Sequence, residues 1–225
     1  MESNQTTCYR CVGDIQKMIK CGKTKSGSQR YICRACGKTR VENYGYRAYR
    51  TDTNQKIIQL TKEGLGIRST ARILKISATT LLKRIVSIAR NIAKPIISRG
   101  KIYEVDELCT YIRHKKNYIW LVYALKKNSK TVVSFNVGKR TNKTLKRVLE
   151  TLKLSDAKKI FTDRLKNYKY LISEKMHSVK RFGTNHIERK NLTLRTHLKR
   201  LNRRTICFSK SLVILTAILK IYFWI

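Results

Sequence analysis

The chain has 225 residues, of which 51 are Lys or Arg and 13 are Asp or Glu, for a formal net charge of +38. That length holds one ordinary domain and one or two small ones, and a 42% hydrophobic content excludes a disordered polycation. So large an excess repels itself unless a polyanion neutralises it. Because the cations run along the whole chain, nucleic acid is the fitting partner, with a structural RNA-binding protein or a protein of anionic membrane surfaces as alternatives.

Residues 8–36 carry Cys8-x-x-Cys11 and Cys33-x-x-Cys36, with 21 residues between the pairs. Two such knuckles supply the four thiolates of a tetrahedral zinc site; four unrelated thiols is the bland alternative. Cys21, Cys109 and Cys207 are scattered, so the pattern suits a reducing compartment and not a disulfide framework. Gly22, Gly27 and Gly37 suit turns, and GSQRYIC reads as a strand entering the second knuckle. A module this small needs its metal to fold. Arg30, Arg34, Lys38 and Arg40 make it a candidate DNA contact. The N-terminus shows no apolar signal-peptide core.

Residues 41–53 are polar and tyrosine-rich and read as a linker. Three helices are predicted next, at about 54–63, 67–74 and 78–93. Ile57, Ile58, Leu60, Ala71, Ile73, Leu74, Ile76, Leu81, Leu82 and Ile85 form their shared core, and Ser77 is the N-cap of the third. A short helix, a tight turn and a longer basic helix is the helix-turn-helix pattern. In that reading Ala78, Thr79, Thr80 and Lys83 open the recognition helix, with Arg68 at the start of the preceding one. A bundle without DNA contact is the alternative.

Pro95 and Gly100 mark a boundary. KIYEVDELCTYI, NYIWLVYALKK and KTVVSFNVGK read as three strands, TNKTLKRVLETLKL as a helix and AKKIFTDRL as a fourth strand. SEKMHSVKRF is a short fifth strand, and two helices end the chain. The order describes a mixed sheet covered by helices, as in ribonuclease-H-like nucleases. The C-terminal run SLVILTAILKIYFWI is short and broken by Lys220. It reads as a buried closing helix, because a membrane span takes about 18 or more clean apolar residues.

From residue 102 onward there are 29 Lys and Arg but eight acids. Asp106 lies in the first strand, Asp163 at the end of the fourth, and Glu188 in the stretch 184–211, read mostly as an amphipathic helix from Ile187, Leu194, Leu198 and Leu201. Asn191 and Arg195 follow on or near the face of Glu188. A lone acid there is a salt-bridge partner or a metal ligand. In a ribonuclease-H-like sheet the first and fourth strands are adjacent and the helix crosses beside them, so the three carboxylates converge. Glu104 shares strand parity with Asp106, whereas Glu107 is expected to face away. A carboxylate cluster of this kind holds two divalent metals, of which Mg²⁺ or Mn²⁺ are the oxygen-loving choices.

The paired C-x-x-C with GSQRYIC, GIRSTARILKISATTLL, E-V-D-E at 104–107, IWLVYAL, KTVVSFNVGKRT, F-T-D at 161–163 and HIERKNLTLRTHLKRLNRRTICFSKS together resemble the insertion sequence 1 family of bacterial transposases over nearly the whole chain. Between Asp163 and Glu188 lie 24 residues, the family's D-D-24-E spacing, and Arg195 falls where such enzymes carry Lys or Arg. The resemblance implies catalytic Asp106, Asp163, Glu188 and Arg195, with the three acids as magnesium ligands. It implies a zinc ribbon (1–45), a helix-turn-helix (46–98) and a ribonuclease-H-like DDE catalytic domain (99–225), a multidomain α+β chain. The two N-terminal parts would bind the terminal inverted repeats; the sheet domain would cut and join DNA. A cytoplasmic, nucleoid-associated protein that is at least a dimer follows, because transposition pairs two DNA ends. Many family members have Gly where this chain has Arg164. The alternative is a catalytically inactive DNA-binding repressor, a remnant of a decayed element.

Overall fold

In the computed structural model, which describes residues 8, 10, 11, 18–42 and 45–225, the chain forms two compact units, Met1–Arg47 and Ala48–Ile225. The N-terminal stretch 1–7 and two positions of the expected linker, Asn43 and Tyr44, lie outside the described residues. The first unit is an antiparallel three-stranded sheet, β1 (Ile19–Lys23), β2 (Gln29–Ile32) and β3 (Thr39–Val41), in that order. Its small core is Cys8, Met18, Tyr31 and Cys33, so the cysteines themselves are much of what it buries.

The second unit opens with α1 (Thr53–Lys62), α2 (Ile67–Leu74) and α3 (Ala78–Asn91). The Ser77 side chain accepts the Thr80 N–H at 3.0 Å, which satisfies an otherwise unpaired donor at the start of α3. Lys75 takes a left-handed conformation at the end of α2, closing the turn between the two.

The sheet follows: β4 (Ile102–Tyr111), β5 (Tyr118–Lys126), β6 (Val132–Gly138), β7 (Lys159–Phe161) and β8 (His177–Ser178), in the order β6-β5-β4-β7-β8. β4, β5 and β6 pair antiparallel; β7 pairs parallel to β4 and β8 parallel to β7. The first and fourth strands are therefore neighbours, as a ribonuclease-H-like reading of the sequence requires. Alternation sends Tyr103, Val105, Val122 and Ala124 to one face, against α4 (Asn142–Leu154) and α5 (Lys166–Leu171). Leu108, Leu121, Tyr123 and Leu125 point to the other face.

That second face packs against α6 (Asn185–His197) and α7 (Leu212–Trp224), and the same core contains Ile57, Ala71, Leu81 and Ile85 of α1–α3. The C-terminal run is thus a buried closing helix, and it closes over the three N-terminal helices as well as the sheet. Trp224 Nε1 donates to the Val132 carbonyl at 3.0 Å and pins its end to β6. Among the described residues no helix is long and apolar enough to cross a membrane.

Two elements differ from the sequence expectation. The helix expected to occupy most of 184–211 stops at His197, a short 3-10 turn follows at Lys199–Leu201, and 202–211 is mostly irregular. Leu198 and Leu201 are still buried, so their spacing signalled burial without a continuous helix. The segment finds its partners on β4 and just beyond: Thr110 Oγ1 donates to the Arg200 carbonyl at 3.2 Å, the Tyr111 hydroxyl to the Thr205 carbonyl, and the Arg113 N–H to the Ser209 carbonyl at 2.9 Å. Asn, Thr, Cys and Ser are weak helix formers, so tertiary bonds outweigh local propensity. The second difference is α5, which lies just after the run read as the fourth strand; that strand is only three residues long.

Candidate active site

β7 pairs with β4 only over Ile102–Glu104. Among the described residues no strand lies beside the β4 edge on that side past Glu104, and Asp163 follows two residues after β7 ends. Side chains from both faces of β4 can reach round this edge. The carboxylate oxygens of Asp106, Glu107 and Asp163 all come within 4.8 Å of one another.

Each of the three is held by a different element. Asp106 Oδ1 accepts the Glu107 N–H at 2.7 Å, and its Oδ2 accepts Asn191 Nδ2, on α6, at 2.6 Å. Glu107 is buried; its Oε1 accepts the Tyr168 hydroxyl of α5 at 2.8 Å, and its Oε2 lies 3.4 Å from Arg140 Nη2. Asp163 Oδ1 accepts the Leu165 N–H at 3.0 Å, a local turn that leads into α5. Arg164 within this turn is exposed and is not among the left-handed residues, so the turn does not depend on glycine.

Electrostatics set the cluster apart from the rest of a cationic chain. Burial pushes the Asp106 carboxyl above its ordinary value, the charges of Asp163 and Glu188 push the same way, and the Glu107 N–H and Asn191 amide oppose them. Burial likewise raises Glu107, with Asp163 and Asp106 adding to it and Tyr168 and Arg140 opposing. Acids gathered this closely favour a bound proton or a cation. Three convergent carboxylates fit a hard divalent ion such as Mg²⁺ or Mn²⁺.

Of the sequence candidates, Asp106 and Asp163 are brought together. Glu188 sits in the exposed first turn of α6, where its Oε1 accepts the Thr184 hydroxyl at 2.7 Å; it adds to the field at Asp106 without joining the cluster. Arg195, two turns further along α6, has a buried Nε with no hydrogen-bond partner. Glu107, expected to face away, does lie on the opposite sheet face from Asp106, yet its carboxylate reaches the cluster round the open edge. Parity alone therefore misplaced it. Glu104 shares the Asp106 face but is fully buried in its own network: Ile187 N–H at 2.9 Å, His186 Nδ1 at 2.8 Å and Lys127 Nζ at 3.5 Å. Asn191 and Tyr168 were missed as partners of the acids. The helical position of Asn191, one turn from Glu188, was the signal for the first; nothing in the sequence marked the second.

The remaining candidate residues fall on α2, α3 and the first unit. Ala78, Thr79 and Lys83 are exposed at the start of α3, Thr80 is partly buried with its hydroxyl 2.8 Å from Ser77 Oγ, and Arg68 is exposed on α2. The four paired cysteines gather within 4.8 Å, with Cys8 and Cys36 sulfurs 3.6 Å apart and Cys11 and Cys33 sulfurs 3.9 Å apart. Those separations bracket the roughly 3.8 Å between sulfurs on a tetrahedral zinc with Zn–S bonds of about 2.3 Å. Backbone N–H groups of Arg10 and Cys11 hold the Cys8 thiol down at about 6, whereas the interaction of Cys11 with Cys36, followed by burial, pushes Cys11 up to about 12.

Comparison with known proteins places these residues in context. A family described as IS1 transposase matches residues 101–225, and one described as InsA C-terminal domain matches residues 44–88. The chain is 40% identical over 108 residues to the insertion element IS1 2 protein InsB of Escherichia coli (strain K12), which is 48% of this chain and 65% of that protein. It is 39% identical over 108 residues to the insertion element IS1 protein InsB of Shigella flexneri, covering 82% of that protein. The matched part thus spans just under two thirds of the Escherichia coli relative's length. Among solved structures, the HTLV-2 integrase catalytic core domain in complex with magnesium aligns with a TM-score of 0.37 and 18% identity, over 57% of this chain and 86% of that one. The simian T-cell lymphotropic virus intasome in complex with PP2A regulatory subunit B56 gamma aligns with a TM-score of 0.39 and 16% identity, over 72% of this chain and 66% of that one. Likenesses this weak carry no structural inference.

Proposed function

The chain belongs to the IS1 transposase family, and we propose that it binds the terminal inverted repeats of an insertion sequence and catalyses divalent-metal-dependent strand cleavage and strand transfer. The observation that carries the reading is the meeting of Asp106, Glu107 and Asp163 at the open edge of β4 in a chain otherwise crowded with cations. Acids placed together against their own repulsion have a use for positive charge that surface lysines do not meet.

In this reading residues 99–225 are a ribonuclease-H-like catalytic domain, 46–98 the helix-turn-helix and 1–45 a zinc ribbon held by Cys8, Cys11, Cys33 and Cys36. Asp106 and Asp163, joined by Glu107, are the ligand set for Mg²⁺ or Mn²⁺, with Glu188 completing it from α6. Bound there, the metals would supply Lewis acidity to the attacking water or 3′-hydroxyl and to the leaving oxygen. The protein's own residues prepare the site. Asn191 keeps Asp106 turned toward α6 and so fixes the helix that carries Glu188 and Arg195. Tyr168 and Arg140 hold the Glu107 carboxylate at the edge. Arg195, partly exposed on the same helix, would meet a phosphate of the DNA strand. Arg68, Ala78, Thr79, Thr80 and Lys83 meet the duplex at the repeat, Lys83 through phosphate or a base edge. Pairing two DNA ends calls for at least two copies of the chain, and the DNA substrate places the protein at the bacterial nucleoid in the cytoplasm.

The test is purified full-length protein with a duplex carrying the ends of the element. End-specific binding without metal, and nicking that appears only when Mg²⁺ or Mn²⁺ is added, are expected. Specific binding with no cleavage in either metal would leave the repressor reading in its place.

A further inference from the structure

A cleft of about 1350 Å³, sharing no residue with the acidic cluster, lies between the α1–α2 turn, the start of α2, the segment after α6 and the face of α7. Six cations line it, Lys62, Arg68, Lys190, Lys199, Arg200 and Lys210, against a single acid, Glu63. None of the six has a carboxylate partner among the described residues. The floor is more telling than the rim. Ser209 is 3% exposed, and its buried hydroxyl has no hydrogen-bond partner. Arg200 is held there by its backbone bond to Thr110, and burial disfavours its charge. The eight-residue α2 also opens onto the cleft, and no side chain caps its first turn, so its unpaired N–H groups present positive potential.

We propose that this cleft seats phosphodiester groups of a DNA strand, with Arg200, Lys210 and the first amides of α2 as the anion-holding set. The assignment rests on the DNA-binding reading above and gives it a path. Arg68 and Ala78 line the cleft and also belong to the candidate recognition surface, so a strand leaving α3 runs directly into it. The cleft is too large for one small anion and open enough for a polymer. Arginine and backbone N–H groups are the donors that phosphate oxygens take most strongly. The occupant also explains the FSKS run at 208–211, whose lysine takes no part in the acidic cluster. Gly64 keeps the two walls together: a Cβ there would lie 1.9 Å from the His197 carbonyl oxygen, so the α1–α2 turn abuts the end of α6.

Two measurements on the full-length protein test the assignment. Lys210 is exposed, so Lys210→Gln leaves the core intact. It should weaken binding to end-bearing and unrelated duplexes alike and reduce the salt slope of binding by about one. Cys207 is an exposed thiol on the cleft wall within electrostatic reach of Arg200. Its alkylation by iodoacetamide, located by peptide mass spectrometry, should slow several-fold when duplex is bound and recover in Lys210→Gln. Duplex bound at full affinity with Cys207 alkylated at the free rate overturns the assignment. So does protection by inorganic phosphate but not by duplex, which leaves a small-anion site only. Thr79→Ala with Lys83→Ala separates the two levels. If that variant loses end binding while Lys210→Gln changes nothing, only the cleft falls; if neither matters, the DNA-binding reading falls with it.

Discussion

Asn191 Nδ2 donates to Asp106 Oδ2 at 2.6 Å, and the Asn191 carbonyl in turn accepts the Tyr123 hydroxyl at 2.8 Å. One amide thereby locks α6 to adjacent strands of the sheet and decides which way the Asp106 carboxylate points. Asn191→Ala should cost about 1–2 kcal/mol of stability, the loss of a partly buried hydrogen-bonded pair, and should weaken Mn²⁺ binding to the cluster. Chemical denaturation and a Mn²⁺ titration measure the two effects. Unchanged metal affinity would mean that the amide serves packing alone.

The raised carboxyls make stability depend on pH in a definite direction. Asp106 and Glu107 are held above their ordinary values of 3.8 and 4.5, so the folded metal-free protein binds more protons than the unfolded chain above those values. Their contribution is fully present below the ordinary values and is lost as pH rises through the raised ones. Metal-free protein should therefore become less stable with rising pH in that window, and Mg²⁺ should restore what is lost. Asp106→Asn with Glu107→Gln should flatten the profile. Urea midpoints across the window check this; a parent whose midpoint rises through it without metal contradicts the electrostatic picture of the cluster.

Glu104 should fail differently from its neighbours on β4. It is fully buried against His186, the Ile187 N–H and Lys127, and it anchors the first turn of α6. Removing one partner of a buried ionic network costs roughly 3–5 kcal/mol, so Glu104→Ala should lower the denaturation midpoint sharply. Glu104→Gln keeps an acceptor for the Ile187 N–H and should lose less. Equal stability of parent and Glu104→Ala would show that the network is dispensable.

Zinc is tested through the thiols. Purified protein should carry one zinc per chain, lost in Cys8→Ser with Cys33→Ser. After chelation, Cys8 and Cys11 should both alkylate, because the module loses the metal that holds it together. Zinc should protect both. Zinc near zero in the parent, or full zinc retention in the double variant, would remove the site.

Much of this was legible in the residues because local rules and tertiary demands agreed. Ser77 caps α3 as its place before an apolar run implied, and strand parity put Glu104 on the face of Asp106 and Glu107 on the other. The failures lie where contacts distant in sequence decide. Leu198 and Leu201 kept helical spacing while bonds from β4 and the turn beyond it drew the backbone out of the helix. Glu107 obeyed its parity and still reached Asp106, because β7 is too short to cover the β4 edge, and no periodicity reveals the length of a neighbouring strand. Tyr168 lies on α5, a six-residue helix with no period long enough to read.

The most direct measurement is strand cleavage and joining on an end-bearing duplex with Mg²⁺, run on Asp106→Asn, Asp163→Asn and Glu188→Gln beside a binding assay on the same preparations. All three variants should fold, bind the ends as the parent does, and cut and join nothing. Glu107→Gln should retain binding and lose most cleavage, because its carboxylate shares the edge with the two aspartates. Cleavage at the parent rate by Asp106→Asn or Asp163→Asn would contradict the assignment of this cluster as the active site.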